Sequence, residues 1–201
     1  MARLCPSVIA LSCLTGSGAL AAPAPPLYDG LGAHARTVAT TSEDAQRYFD
    51  QGLAFLYAFN HDEAIRSFEH AGALDPGCAM AWWGVAYANG PHINNPVVPE
   101  ERAKAAWAAL SRARAAAAKA RPVEQALIEA LSARYALPQP EDRKPLDQAY
   151  ADAMRRVWAA HPKDADVGAL FAEALADVRP WDLWTAEGRP QPGTGELLAT
   201  L

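Results

Sequence analysis

The chain has 201 residues, 51% of them hydrophobic and 20% charged, and a formal charge of −5. That balance supports a sizeable packed core and gives no electrostatic reason to expect phosphate backbones as partners, so nucleic acid is excluded. Three cysteines, Cys5, Cys13 and Cys78, exclude a disulfide-stapled scaffold.

Arg3 precedes a mostly apolar run from Leu4 to Leu20 that ends at Ala19-Leu20-Ala21, the make-up of a secretory signal peptide, assigned to residues 1–21. The run is short for a bilayer and is interrupted by Pro6, Gly16 and Gly18, so no stable membrane span is expected after cleavage. An exported product, periplasmic or secreted, follows. Cleavage removes Cys5 and Cys13, and the lone Cys78 is expected to behave as a small buried apolar residue. Residues 22–41, with Pro23, Pro25, Pro26, Gly30 and Gly32, read as an extended segment, and residues 42–201 as one helical domain.

Thr41-Ser42-Glu43-Asp44 supplies capping hydroxyls and early carboxylates, so a first helix is predicted from about Glu43 to Ala58. Tyr48, Phe49, Leu53, Phe55 and Leu56 recur on it at three to four residues and form one broad apolar stripe. Gly52 lies on that stripe. Glycine inside a helix costs about 1 kcal/mol against alanine, so a close approach by another helix backbone is expected there. Asn60-His61-Asp62-Glu63 reads as an asparagine version of a capping box. The second helix then carries Ala64, Ile65, Phe68, Ala71 and Leu74 inward, turns Arg66, Glu69 and His70 outward, and closes at Asp75-Pro76.

Ala45, Tyr48, Gly52, Phe55, Ala64, Phe68, Ala71 and Pro76 fall at tetratricopeptide-repeat spacing, and this stretch resembles a TPR helical hairpin. The resemblance implies an all-α fold of TPR-like stacked antiparallel helical hairpins, an α-solenoid. It continues at Ala79, Trp82, Val85 and Ala86, then departs. Asn89 stands where the family usually has tyrosine, and Gly90-Pro91-His92-Ile93-Asn94-Asn95-Pro96 lengthens the turn before a helix opening at Pro99.

Residues 99–120 are carried by alanine, with Trp107 and Leu110 as apolar knobs. Further helices are predicted over 122–135, 145–160 and 164–178. Pro76 to Pro162 is about eighteen residues longer than two 34-residue repeats, so extra length sits in the connections. Glu196 to Leu201 looks like the first turn of another helix, and a natural protein continuing beyond Leu201 is expected.

No phosphate loop, dinucleotide fingerprint, nucleophile elbow or zinc-protease pair is present, and no catalytic, cofactor-binding or metal-ligating set is assigned. TPR resemblance implies a scaffold that binds a peptide or protein partner on its concave face, through the first helix of each hairpin: Arg47, Gln51, Tyr57, Trp83 and Asn89. Trp82 is expected in the core. Trp83, about 100° round the helix, either lines the concave face or packs against the next repeat. His61 is a turn residue, or else a ligand or a polar reader at the hairpin tip, and His92, Asn94 and Asn95 lie in the inserted loop, where binding residues concentrate. Trp181, Asp182 and Trp184 form either an aromatic contact surface or a plug over the last helices. His34, His70 and His161 read as solvated or capping. The alternative, from another class, is the N-terminal part of a metal- or small-molecule-dependent enzyme. Phe59-Asn60-His61 and Gly90-Pro91 look like motifs of long exported TPR proteins whose further histidines would lie past Leu201.

Overall fold

The computed structural model describes residues 24–201, so the leader assigned to residues 1–21 lies outside the described residues. Those described are all-helical, with α1 (Glu43–Tyr57), α2 (His61–Leu74), α3 (Ala79–Ala88), α4 (Glu100–Ala116), α5 (Pro122–Ser132), α6 (Lys144–Ala160), α7 (Ala165–Val178) and α8 (Thr194–Thr200). A 3-10 turn, Ala117–Lys119, follows α4, and the only extended pairing among the described residues is two isolated bridges. None of these helices is long and apolar enough to cross a membrane.

Helices adjacent in sequence pack on one another, α1 on α2, α2 on α3, α3 on α4, α5 on α6, α6 on α7 and α7 on α8. The links of three or four residues between α1 and α2, α2 and α3, and α6 and α7 make those neighbours antiparallel. In addition α1 touches α3, and α3 touches α5.

One ring organises the first three helices. A Cβ on Gly52 of α1 would stand 2.6 Å from the Phe68 ring of α2, and a Cβ on Gly84 of α3 would stand 2.6 Å from the same ring. What approaches Gly52 is therefore a phenyl ring, and not the helix backbone expected from sequence. Phe68 is fully buried, as are Phe49, Ala64 and Ala71 beside it. Cys78 is buried and free, and burial pushes its thiol up to about 11, as suits a small apolar residue.

The α1 start follows the sequence: the Ala45 amide donates to Ser42 Oγ at 3.1 Å. The α2 start does not. Asn60 makes no side-chain cap bond. The Phe59 amide donates to the Leu56 carbonyl and the Asn60 amide to the Phe55 carbonyl at 2.9 Å, with Phe59 at φ 59°. That is a Schellman closure of α1, with phenylalanine where glycine is usual, and it occupies the link that a capping box would need.

Trp83 takes its packing alternative, and Trp82, expected in the core, is the less buried of the two. Trp83 is 2% exposed in the core, whereas Trp82 is half-buried, lying against Gly72 with the Arg112 guanidinium 4.6 Å from its ring. Almost every residue of α3 is buried, because α2 and α4 flank it, so neither tryptophan is turned to open solvent. Leu74, expected inside, is exposed at the end of α2, and His70 is half-buried with its ring 4.4 Å from that of Tyr48.

Candidate functional site

Residues 24–40 remain extended and fold back along α1 as a strap. Three polar residues of α1, Gln46, Asp50 and Gln51, hold it by its backbone, and their spacing of four and five places them on one side of the helix. Gln51 Oε1 accepts the Tyr28 amide at 2.8 Å while its Nε2 donates to the Pro26 carbonyl at 3.0 Å. Gln46 repeats the arrangement, its Oε1 accepting the Val38 amide at 2.9 Å and its Nε2 donating to the Arg36 carbonyl at 2.9 Å. Each carboxamide thus reads a carbonyl and the amide two residues on, the groups that point the same way in an extended chain. Asp50 adds the Arg36 amide at 3.0 Å, and the Tyr48 hydroxyl donates to the Pro25 carbonyl at 2.8 Å.

The side chain of Arg36 reaches α7. Its two terminal nitrogens donate to Asp164 at 2.7 and 2.9 Å, and one of them also to Asp166 at 2.9 Å. Burial opposes the Arg36 charge, but the hydrogen bonds and attraction of the two carboxylates more than offset it, and its pKa rises. Asp164 is at once the N-cap of α7, accepting the Val167 amide at 3.2 Å, so the positive end of that helix supports the carboxylate. His34 Nε2 and the Tyr57 hydroxyl both meet Asp166 Oδ1, at 2.9 and 2.8 Å. Of the residues singled out from sequence, Gln51 and Tyr57 therefore belong to this strap site. Arg47 is exposed at its edge and pairs with Asp44 at 3.2 Å.

A second cluster forms at the helix ends. His61, the first residue of α2, and His92, in the loop before α4, stack with ring centroids 4.2 Å apart and planes inclined by 21°. The left-handed Phe59 sets its ring 6.0 and 5.8 Å from theirs. A cavity of about 400 Å³ opens there, lined by His61, Asn89, His92, Asn95 and Arg102 among others. Burial lowers the His61 pKa to about 4, with His92 and Arg102 adding to the effect, and burial lowers that of His92 as well. Both shifts favour the neutral imidazole, and His92 Nδ1 is buried without a hydrogen-bond partner. Asn89 is turned inward, its Nδ2 donating to the Val85 carbonyl at 2.9 Å. Asn95 closes the loop through two backbone bonds to His92, and Asn94 is exposed beside it.

Two imidazoles can ligate a transition metal, but stacked, nearly parallel rings keep their in-plane lone pairs in two separate planes, so chelation of one ion requires a ring to turn out of the stack. Among the described residues no group of three or more His, Cys, Asp or Glu is placed to hold a metal ion. The remaining candidates lie apart from both clusters. Trp83 packs against Tyr87 within the core, with ring centroids 5.2 Å apart and planes inclined by 33°. Trp181, at φ 58°, and Trp184 are exposed on the loop before α8, and Asp182 bonds Arg179 and Gln191 there.

Sequence reasoning passed over Gln46, Asp50, Asp164, Asp166 and Arg36, which do most of the strap site's work. The only signal of Gln46 and Asp50 was polarity at helical spacing opposite an apolar stripe, which looks the same on a face bathed by water, while Arg36 lies in the extended segment and Asp164 and Asp166 at the start of α7. Comparison of the chain with protein-family models, curated proteins and solved structures returns no match.

Proposed function

We propose that the chain is an exported, TPR-like hairpin scaffold that binds a peptide or protein partner. The observation that carries this reading is the pair of carboxamide clamps, Gln46 and Gln51, which hold an extended backbone on one side of α1 without reading its side chains. Support for the TPR-like arrangement comes from Phe68 wedged between Gly52 and Gly84 and from the α1 to α3 and α3 to α5 contacts. Main-chain recognition of extended segments is a general way for a rigid surface to gain affinity while leaving specificity to a few pockets. The full chain panned against a displayed library of linear peptides is expected to enrich binders. Their hydrogen-exchange footprints should fall on α1 or on the Trp181 to Trp184 loop. Failure to enrich any clone removes the reading.

A second reading, a metal- or small-molecule-dependent protein, is favoured by the stacked pair His61 and His92 beside a strained Phe59, since strained backbone concentrates at functional sites. It ranks second because the imidazole lone pairs do not converge. Equilibrium dialysis against micromolar zinc or copper decides it. Stoichiometric uptake lost in both His61→Ala and His92→Ala supports this reading, and absence of uptake eliminates its metal form.

A further inference from the structure

The strap is bonded at its two ends and loose between them. Pro25 to Tyr28 is held by Gln51, Tyr48 and an edge contact of Tyr28 on Phe55, with centroids 5.6 Å apart. His34 to Thr40 is held by Gln46, Asp50, Asp75, Glu124 and the two α7 aspartates. The arch between carries Gly30 and Gly32 at φ 84° and 86°, and a Cβ on either would meet nothing within 4 Å. Only Val38 of the whole strap is buried.

Release of such a segment costs little apolar burial. It exchanges hydrogen bonds with the protein for hydrogen bonds with water, each worth only a small net amount. A foreign segment that makes the same bonds is then held almost as well, and the strap's advantage is its tether, which supplies an effective concentration on the order of millimolar. The face also states the chemistry of its occupant. The clamps accept any extended backbone at residues 27 and 37. By contrast Arg36 meets Asp164 and Asp166 with a side chain only 11% exposed. A planar, five-donor cation suits that arrangement better than an ammonium.

We propose that the α1 face binds, in place of residues 24–40, an extended segment of a partner polypeptide that carries an arginine where Arg36 now lies. This rests on the partner-binding reading above and adds the partner's chemistry and the strap that gates it.

The probe is a labelled synthetic peptide with the sequence of residues 24–40, titrated by fluorescence anisotropy against the full chain. Arg36→Ala weakens the strap and leaves every groove residue intact, so this variant should bind the probe about tenfold or more tighter than the unaltered chain. The gain should vanish for a probe whose own arginine is alanine, and for the chain that also carries Asp164→Asn and Asp166→Asn. Circular dichroism checks that each variant is folded. Should Arg36→Ala fail to fold, Tyr28→Ala loosens the other end of the strap, and a severalfold gain is expected from it. Equal binding of the probe to the strap-weakened and unaltered chains overturns the inference, as does equal binding of the arginine-less probe. A strap-weakened chain that dimerises and takes up no probe also overturns it, by showing exchange of the strap between copies. Library binders that map to the Trp181 to Trp184 loop, with no gain on strap weakening, sink this inference and leave the broader reading standing.

Discussion

Phe68 shows how much one residue decides. Its ring fills the space left by two missing side chains, at Gly52 and Gly84, and so couples three helices through one contact. Phe68→Ala is expected to destabilise the fold by about 3–5 kcal/mol in urea denaturation. Gly52→Leu alone should cost about 1–3 kcal/mol, because it drives carbon into the ring. In the Phe68→Ala background the same leucine enters vacated space, so the two costs should fall well short of adding. Additivity within about 0.5 kcal/mol would mean that the ring does not link the helices. Gly52 and Phe68 stood out in the sequence through their repeat spacing, whereas Gly84, on a helix with no polar face, gave no periodic signal. Adjacent Trp82 and Trp83 were ambiguous for the same reason: direction around a helix can be read only when one side of it is polar.

At the scale of elements, helix position was legible and helix environment was not. Ser42, with the acidic residues after it, marks the α1 start because the orphan amides of a helix need a short oxygen-bearing side chain. Asn60 carries the same kind of mark and fails, because the Schellman turn at Phe59 already commits the backbone there. The two candidate clusters were harder still. Gln46, Asp50 and Gln51 announce a polar face, but polarity does not say whether water or a peptide backbone lies on it. His61 and His92 belong to separate links, and nothing in their spacing places one ring on the other. The prolines and glycines of the N-terminal segment gave no sign that residues 24–40 would dock along α1 and reach α5 and α7.

Across the described residues, the largest energetic liability is a buried ion pair. Arg134, just beyond α5, is fully buried and bonds Asp177 of α7 and the Pro91 carbonyl ahead of α4, with its guanidinium 4.6 Å from the Tyr150 ring. Asp177→Ala leaves that charge uncompensated and should cost about 3–5 kcal/mol by chemical denaturation. The double replacement Arg134→Met with Asp177→Leu should recover much of the loss, since a buried pair repays its desolvation poorly. A double variant as unstable as the single one would contradict this. The strap carries a different consequence, one of timing. Its anchors at Glu124, Asp164 and Asp166 lie 85, 128 and 130 positions downstream of the residues they hold. A ribosome makes the strap first and its last fasteners far later, and domains organise as they emerge. Until those carboxylates are made, the strap is held on α1 by the backbone bonds of Gln46 and Gln51 without its arginine lock, and is at its easiest to exchange.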